Sequence, residues 1–207
     1  MSNLIRLKFF LMMGLQFFIW GCWLPLIYSY LPSLGFTPAQ QSWILNAFPI
    51  AAVIGLFFGN QYADRHFAAE RFFGFSHLVA GAAMLLLAFT KSFWSFFGLM
   101  LLHCLFYVPT VSIVNSIIFA HLKDPQKEYG LTRVGACVGW VMAAWPFTFI
   151  LVDWNKVHAA HPHGLGNWLG TVLGSGLTGG VLQQATRWTY IVAGSASLLL
   201  AAWSLVL

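Results

Sequence analysis

Six stretches of the chain, at about 6–31, 42–62, 72–90, 94–121, 131–152 and 187–207, are almost unbroken runs of apolar residues. A helix needs about 20 such residues to cross the hydrocarbon core of a bilayer. Lipid offers backbone N–H and C=O groups no partner, so a spanning segment must be a helix or part of a closed barrel. A transmembrane barrel would show segments of about ten residues with alternating polarity, and this sequence has none. The runs therefore predict an all-α membrane protein of six transmembrane helices. Composition agrees, since 59% of the 207 residues are hydrophobic and 7% are charged, against about 25% charged in a soluble domain. So little charge could not cover a water-facing surface, and the apolar content excludes disorder. The net charge of +5 is scattered between the runs rather than gathered into a nucleic-acid-binding stripe.

Cys22, Cys104 and Cys137 lie inside apolar runs with no Cys-x-x-Cys spacing, which reads as small packing residues rather than a disulfide or zinc framework. The chemistry requires no cofactor and no metal. The first run is too long for a cleavable signal peptide, and no small-residue cleavage site follows it.

The breaks between runs carry turn chemistry. Gly35-Phe36-Thr37-Pro38 closes the first pair, with Thr37 placed to cap a short helix that starts at Pro38. Lys123-Asp124-Pro125 is expected to end the fourth helix. Arg6, Lys8, Arg65, Arg71, Lys123, Lys127 and Arg133 fall on one side of the membrane, and Lys91, Lys156 and Arg187 on the other. The richer side is cytoplasmic by the positive-inside rule, so both chain ends are expected there. The stretch 153–186 then forms a long external connection, rich in glycine, with a partial helix expected at 177–184. The chain stops at Ser204-Leu205-Val206-Leu207 inside an apolar run with no anchor. The expected domain is thus residues 1–207 as an N-terminal six-helix unit whose C-terminal half is absent.

Arg133 is the most informative residue. A charge inside a membrane helix costs about 2.5–3.5 kcal/mol on insertion scales. Cys137 and Trp140, at i+4 and i+7, share its helix face. A guanidinium, a small residue and an indole on one face could hold a polar, planar ligand; the alternative is an arginine that snorkels to the interface. Asn115 could line a cavity or bond across helices. Gln16 and Asn46 invite the same two readings, with Asn46 leaning to structure. Pro25, Pro49, Pro109 and Pro146 fall in the first, second, fourth and fifth helices, a pattern expected of a three-plus-three repeat as in transporter halves. The Gly55/Gly59 and Gly135/Gly139 steps are packing surfaces.

On helix 4, the run Tyr107-Val108-Pro109-Thr110-Val111-Ser112-Ile113-Val114-Asn115-Ser116-Ile117 resembles a pattern of the nucleoside:H+ symporter family of the major facilitator superfamily. Gln16-Phe17 with Trp20-Gly21-x-Trp23-Leu24, His77, and Arg133 with Gly139 support the resemblance over about the first 150 residues. Ala63-Asp64-Arg65 resembles the superfamily's cytoplasmic loop motif, with Asn60 in the expected glycine place and Gly59 one earlier. The resemblance implies one half of a major facilitator fold in a plasma or bacterial inner membrane, with nucleosides as substrate and protons as the coupling ion. It implies substrate contacts at Arg133, Cys137, Trp140, Asn115, Gln16, Trp20 and Trp23. It implies conformational roles for Asp64, Arg65, Pro109 and Thr110. It also implies that a C-terminal six-helix half is needed.

Proton coupling needs a titratable group in the membrane. Asp64, Glu70, Asp124, Glu128 and Asp153 all lie in or near loops. His77 and His103 read as hydrogen-bonded structural residues, so a proton carrier is expected in a second half. Two other classes have candidate residues. An intramembrane serine protease would have to use Ser195 and His103, with no Gly-x-Ser-x-Gly element, so no enzymatic activity is expected. A metal site would have to use His158, His161 and His163, which read better as solvated loop residues.

Overall fold

The computed structural model describes residues 3–55, 68–122 and 124–206. These are almost entirely helical: α1 (Asn3–Ser33), α2 (Pro38–Leu45), α3 (Ala47–Ile54), α4 (Ala69–Leu87), α5 (Phe93–His121), α6 (Pro125–Ile150), α7 (Trp154–Ala159), α8 (Leu165–Gly174) and α9 (Gly179–Trp203), then a short 3₁₀ turn at Ser204–Val206. Within α1, α4, α5 and α6 run four segments long and apolar enough to cross a membrane.

Local chemistry sets the helix ends. Gly35 takes φ +78° after α1, a left-handed conformation that favours glycine. Thr37 then caps α2 in a reciprocal capping box: its hydroxyl accepts from Gln40 N at 3.3 Å, and its own N–H donates to Gln40 Oε1 at 3.0 Å. The second predicted helix is broken at Asn46. Pro49 has no N–H to give the Leu45 carbonyl, so the ladder stops there and α3 restarts. Asn46 Nδ2 donates to Ser42 O at 2.7 Å, the structural role expected of it. Asp64, Arg65, Gly59 and Asn60 lie outside the described residues.

Three sequence expectations are corrected. Asp124-Pro125, expected only to end a helix, starts one: Asp124 accepts from Lys127 N and Pro125 occupies the first turn of α6. Arg133 therefore sits in the third turn rather than at the helix mouth. The partial helix expected at 177–184 is instead the opening of α9, which starts at Gly179 rather than at 187. The external connection has its own helices, α7 and α8, and its ends are tied. Asp153 N donates to Ser175 O at 2.6 Å, and Leu177 N donates to Leu151 O at 2.8 Å.

Packing centres on α1, which lies against α6 and α9; α4 lies against α5 and α9, and α3 against α5. The α1–α6 contact is close enough to require glycine. A Cβ at Gly139 would run into the backbone of Gly14, and one at Gly135 into the backbone of Phe10. The Gly135/Gly139 step is thus a packing surface, as expected. At one end of this pair, Arg6 Nη2 pairs with the buried Glu128 Oε1 at 2.8 Å. Trp145 and Met142 are more than 60% exposed, an outer apolar surface fit for lipid or further helices rather than water.

Candidate functional site

α1, α3, α5 and α6 line a cavity of about 510 Å³. One wall is aromatic: the Trp20 ring of α1 stacks on Phe48 of α3 at 4.8 Å, and Trp140 of α6 meets Trp20 edge-on at 5.4 Å. Another part of the lining is polar. Arg133 Nη1 donates to the Tyr129 hydroxyl at 3.4 Å, which donates to Asn115 Oδ1 at 2.8 Å; Asn115 Nδ2 donates to Val111 O at 2.8 Å. Arg133 also lies 5.7 Å from the centroid of the Phe17 ring, a cation–π distance. Its guanidinium is exposed and keeps donors free for a ligand. Aromatic rings and a guanidinium on one cavity can hold a flat, polar molecule.

Beside this cavity, α1 and α5 join α4 and α9 in a second, sealed group. Gln16 on α1 is fully buried. Its Nε2 donates to Thr110 Oγ1 on α5 at 2.8 Å, and its Oε1 lies 2.8 Å from His77 Nε2 on α4. His77 Nδ1 lies 3.0 Å from Ser197 Oγ on α9. Tyr107 closes the group by donating its hydroxyl to Gln16 O at 2.5 Å. Four helices thus meet at one buried hydrogen-bonded junction.

Arg133, Asn115, Trp20 and Pro109 line the cavity together. Trp140 touches it only through Trp20, and Cys137 is exposed on α6 without lining it. Gln16 and Thr110 belong to the sealed junction. Trp23 is buried against His103 at 6.0 Å. Sequence reasoning passed over Phe17, Phe48 and Tyr129. Tyr129 was within reach of a helical-face argument, because it precedes Arg133 by four residues. Phe17 stood in the Gln16-Phe17 motif without being read as a site residue, and Phe48 carries no local signal beyond being apolar. Ser195 is exposed on α9, whereas His103 is fully buried and bonded through Nδ1 to Ala80 O at 3.0 Å; they form no catalytic pair. Among the described residues no three His, Cys, Asp or Glu side chains gather as a metal site. A larger cavity, about 870 Å³, opens between α4 and α9 near Glu70 and Arg71. Its lining starts at Ala68, where the described residues resume.

A sequence model of the nucleoside H+ symporter family matches residues 1–165. The chain belongs to that family. Among its relatives, the xanthosine permease of Escherichia coli K12 is 32% identical over 162 residues, 76% of this chain and 38% of the permease. The nucleoside permease NupG of the same strain is 25% identical over 146 residues, 68% of this chain and 35% of NupG. The crystal structure of nucleoside transporter NupG matches the fold with a TM-score of 0.77 at 21% identity, covering 100% of this chain and 44% of that one. The fold is therefore of the major facilitator type, in a multi-pass integral membrane protein. The chain spans less than half the length of the proteins it matches.

Proposed function

We propose that this chain is the N-terminal half of a proton-coupled nucleoside transporter working by alternating access. The observation that carries the reading is the cavity lined together by Arg133, Asn115 and Trp20. In it Arg133 donates to ribose hydroxyls or base carbonyls, and Trp20 offers the base an aromatic surface. Asn115, held by Tyr129, sets the polar edge. Trp140 braces Trp20 from behind, and Cys137, Gln16 and Trp23 act on the site from neighbouring turns rather than from its lining.

In this reading the half has six membrane helices, formed by α1, the α2–α3 pair, α4, α5, α6 and α9. Three of these pair with the other three in a three-plus-three repeat. Both ends of the half face the cytoplasm, and α7 and α8 lie outside. Asp64 and Arg65 at the cytoplasmic face, with the bend at Pro109 and the Thr110 bond to α1, steady one conformation of the cycle. The open apolar faces fit a C-terminal six-helix half, which completes the substrate site. Nothing in the reading calls for a cofactor or for enzymatic chemistry.

The test is uptake of radiolabelled uridine and adenosine by cells expressing this chain alone and joined to a second half. Uptake by the joined form alone is the expected result. No uptake by either form sinks the nucleoside assignment, and competition by unrelated polar solutes would point to a different cargo.

A further inference from the structure

We propose that His77 is a proton-binding site in this half, with Ser197 as the group that accommodates the proton; its use in transport rests on the reading above.

The directions of the junction's hydrogen bonds can be worked out from one end. The Thr110 hydroxyl donates to Tyr107 O at 2.6 Å, so its oxygen is left to accept. It accepts from Gln16 Nε2 at 2.8 Å. The amide of Gln16 is thereby oriented, with its carbonyl oxygen turned toward His77 Nε2 at 2.8 Å. An oxygen in that place requires a proton on Nε2. The neutral ring is therefore held as the Nε2–H tautomer, with a lone pair on Nδ1.

That lone pair faces Ser197. The serine oxygen lies 3.0 Å from Nδ1 and 2.9 Å from the carbonyl oxygen of His77 itself. With the ring neutral, the Ser197 hydroxyl can donate to Nδ1. When a proton binds Nδ1, the new N–H donates to Ser197 Oγ, and the serine hydrogen turns to His77 O. Both states satisfy both ring nitrogens, and a hydroxyl rotation converts one into the other with no heavy atom displaced. A buried polar network that stays satisfied in two protonation states is what a reversible proton site requires.

The surroundings are compatible with this. From α1 the facing group is the neutral amide of Gln16, and from α9 the hydroxyl of Ser197. From α5 come Tyr107, edge-on at 6.0 Å, and His103, which stacks on Tyr107 at 5.2 Å. On its own helix Phe73 meets the ring at 4.5 Å. Among the described residues no carboxylate bonds to the fully buried ring, so a bound proton is costly to hold and readily given up. The junction also adjoins the cavity through covalent neighbours. Gln16 is one helical turn from Trp20, and Thr110 directly follows Pro109; Trp20 and Pro109 both line the cavity.

The test is ring-¹⁵N magnetic resonance on histidine-labelled protein in lipid nanodiscs, taken from about pH 8 to about pH 3, a range that reaches well below the ordinary histidine titration. The His77 signal is the one lost in His77→Gln, or, if that variant does not fold, the one displaced in Ser197→Ala. The expected result is a single Nε2–H tautomer at the alkaline end that becomes the doubly protonated ring on acidification. In Ser197→Ala the doubly protonated signal should be about tenfold weaker at the same pH, from loss of its acceptor. A ring that stays neutral throughout, or begins as the Nδ1–H tautomer, overturns the proposal. An unchanged titration in Ser197→Ala removes serine from it. None of these readouts depends on uptake, so the proton site and the transport reading can fail separately.

Discussion

The cavity around Arg133 and the junction around His77 share two helices, α1 and α5, on which their residues lie within a turn of each other, yet they treat polar atoms in opposite ways. In the junction, Gln16, His77 and Thr110 are completely buried and each finds a partner on another helix. In the cavity, Arg133 is exposed, and its bond to Tyr129 at 3.4 Å is at the long end of the range. A satisfied, sealed group holds helices together; an incompletely satisfied, open one waits for a ligand. The contrast suggests that polar residues in the membrane divide by whether their hydrogen-bonding capacity is already used, not by residue type.

The sharpest challenge to that contrast is Arg133→Ala in a transporter containing this half. Uptake should fall at least about a hundredfold, from loss of charge-assisted hydrogen bonds to the substrate, with thermal stability in detergent unchanged. Normal uptake would remove Arg133 from the site. Trp20→Ala should weaken nucleoside binding by about 1–3 kcal/mol, the range of base–aromatic stacking, while Trp20→Phe keeps most of it; equilibrium binding in nanodiscs measures both. Gln16→Leu should do the reverse of Arg133→Ala. It strands the His77 ring nitrogen and should cost about 1–2 kcal/mol of stability, read as a lower melting temperature. A variant that melts normally but binds poorly would place Gln16 with the cavity instead. Tyr129→Phe is the mildest, removing the hydroxyl between Arg133 and Asn115; about 1 kcal/mol, a roughly fivefold weaker affinity with unaltered stability, is expected.

Much of this was legible because hydropathy and caps are local. The runs behind α1 and α5 marked their helices to within a few residues, and the Thr37–Pro38 start of α2 was read to the residue. The α6 start was missed because Lys127 and Glu128 look like loop residues. Yet Glu128 meets Arg6 from α1, a pairing across 122 positions that no local pattern reveals. The α9 start was missed for the same reason: Gln183 Nε2 reaches the Ser33 carbonyl at 2.5 Å, satisfying a polar residue that suggested a break. At the site, Arg133, Asn115 and Trp20 announced themselves as polar or aromatic residues in apolar runs. That Gln16 belongs with His77 rather than with them depends on how α1, α4 and α5 pack.

The tied ends of the external connection have a practical meaning. Val152 bridges Gly176, and Val152, Val157 and Val172 make a small core of their own. The chain between α6 and α9 is thus a closed detour that leaves and rejoins the bundle at one point. Detours of this kind absorb insertions at little entropic cost. It is the natural place to graft an epitope or a fluorophore, leaving the spacing of α6 and α9 as it is.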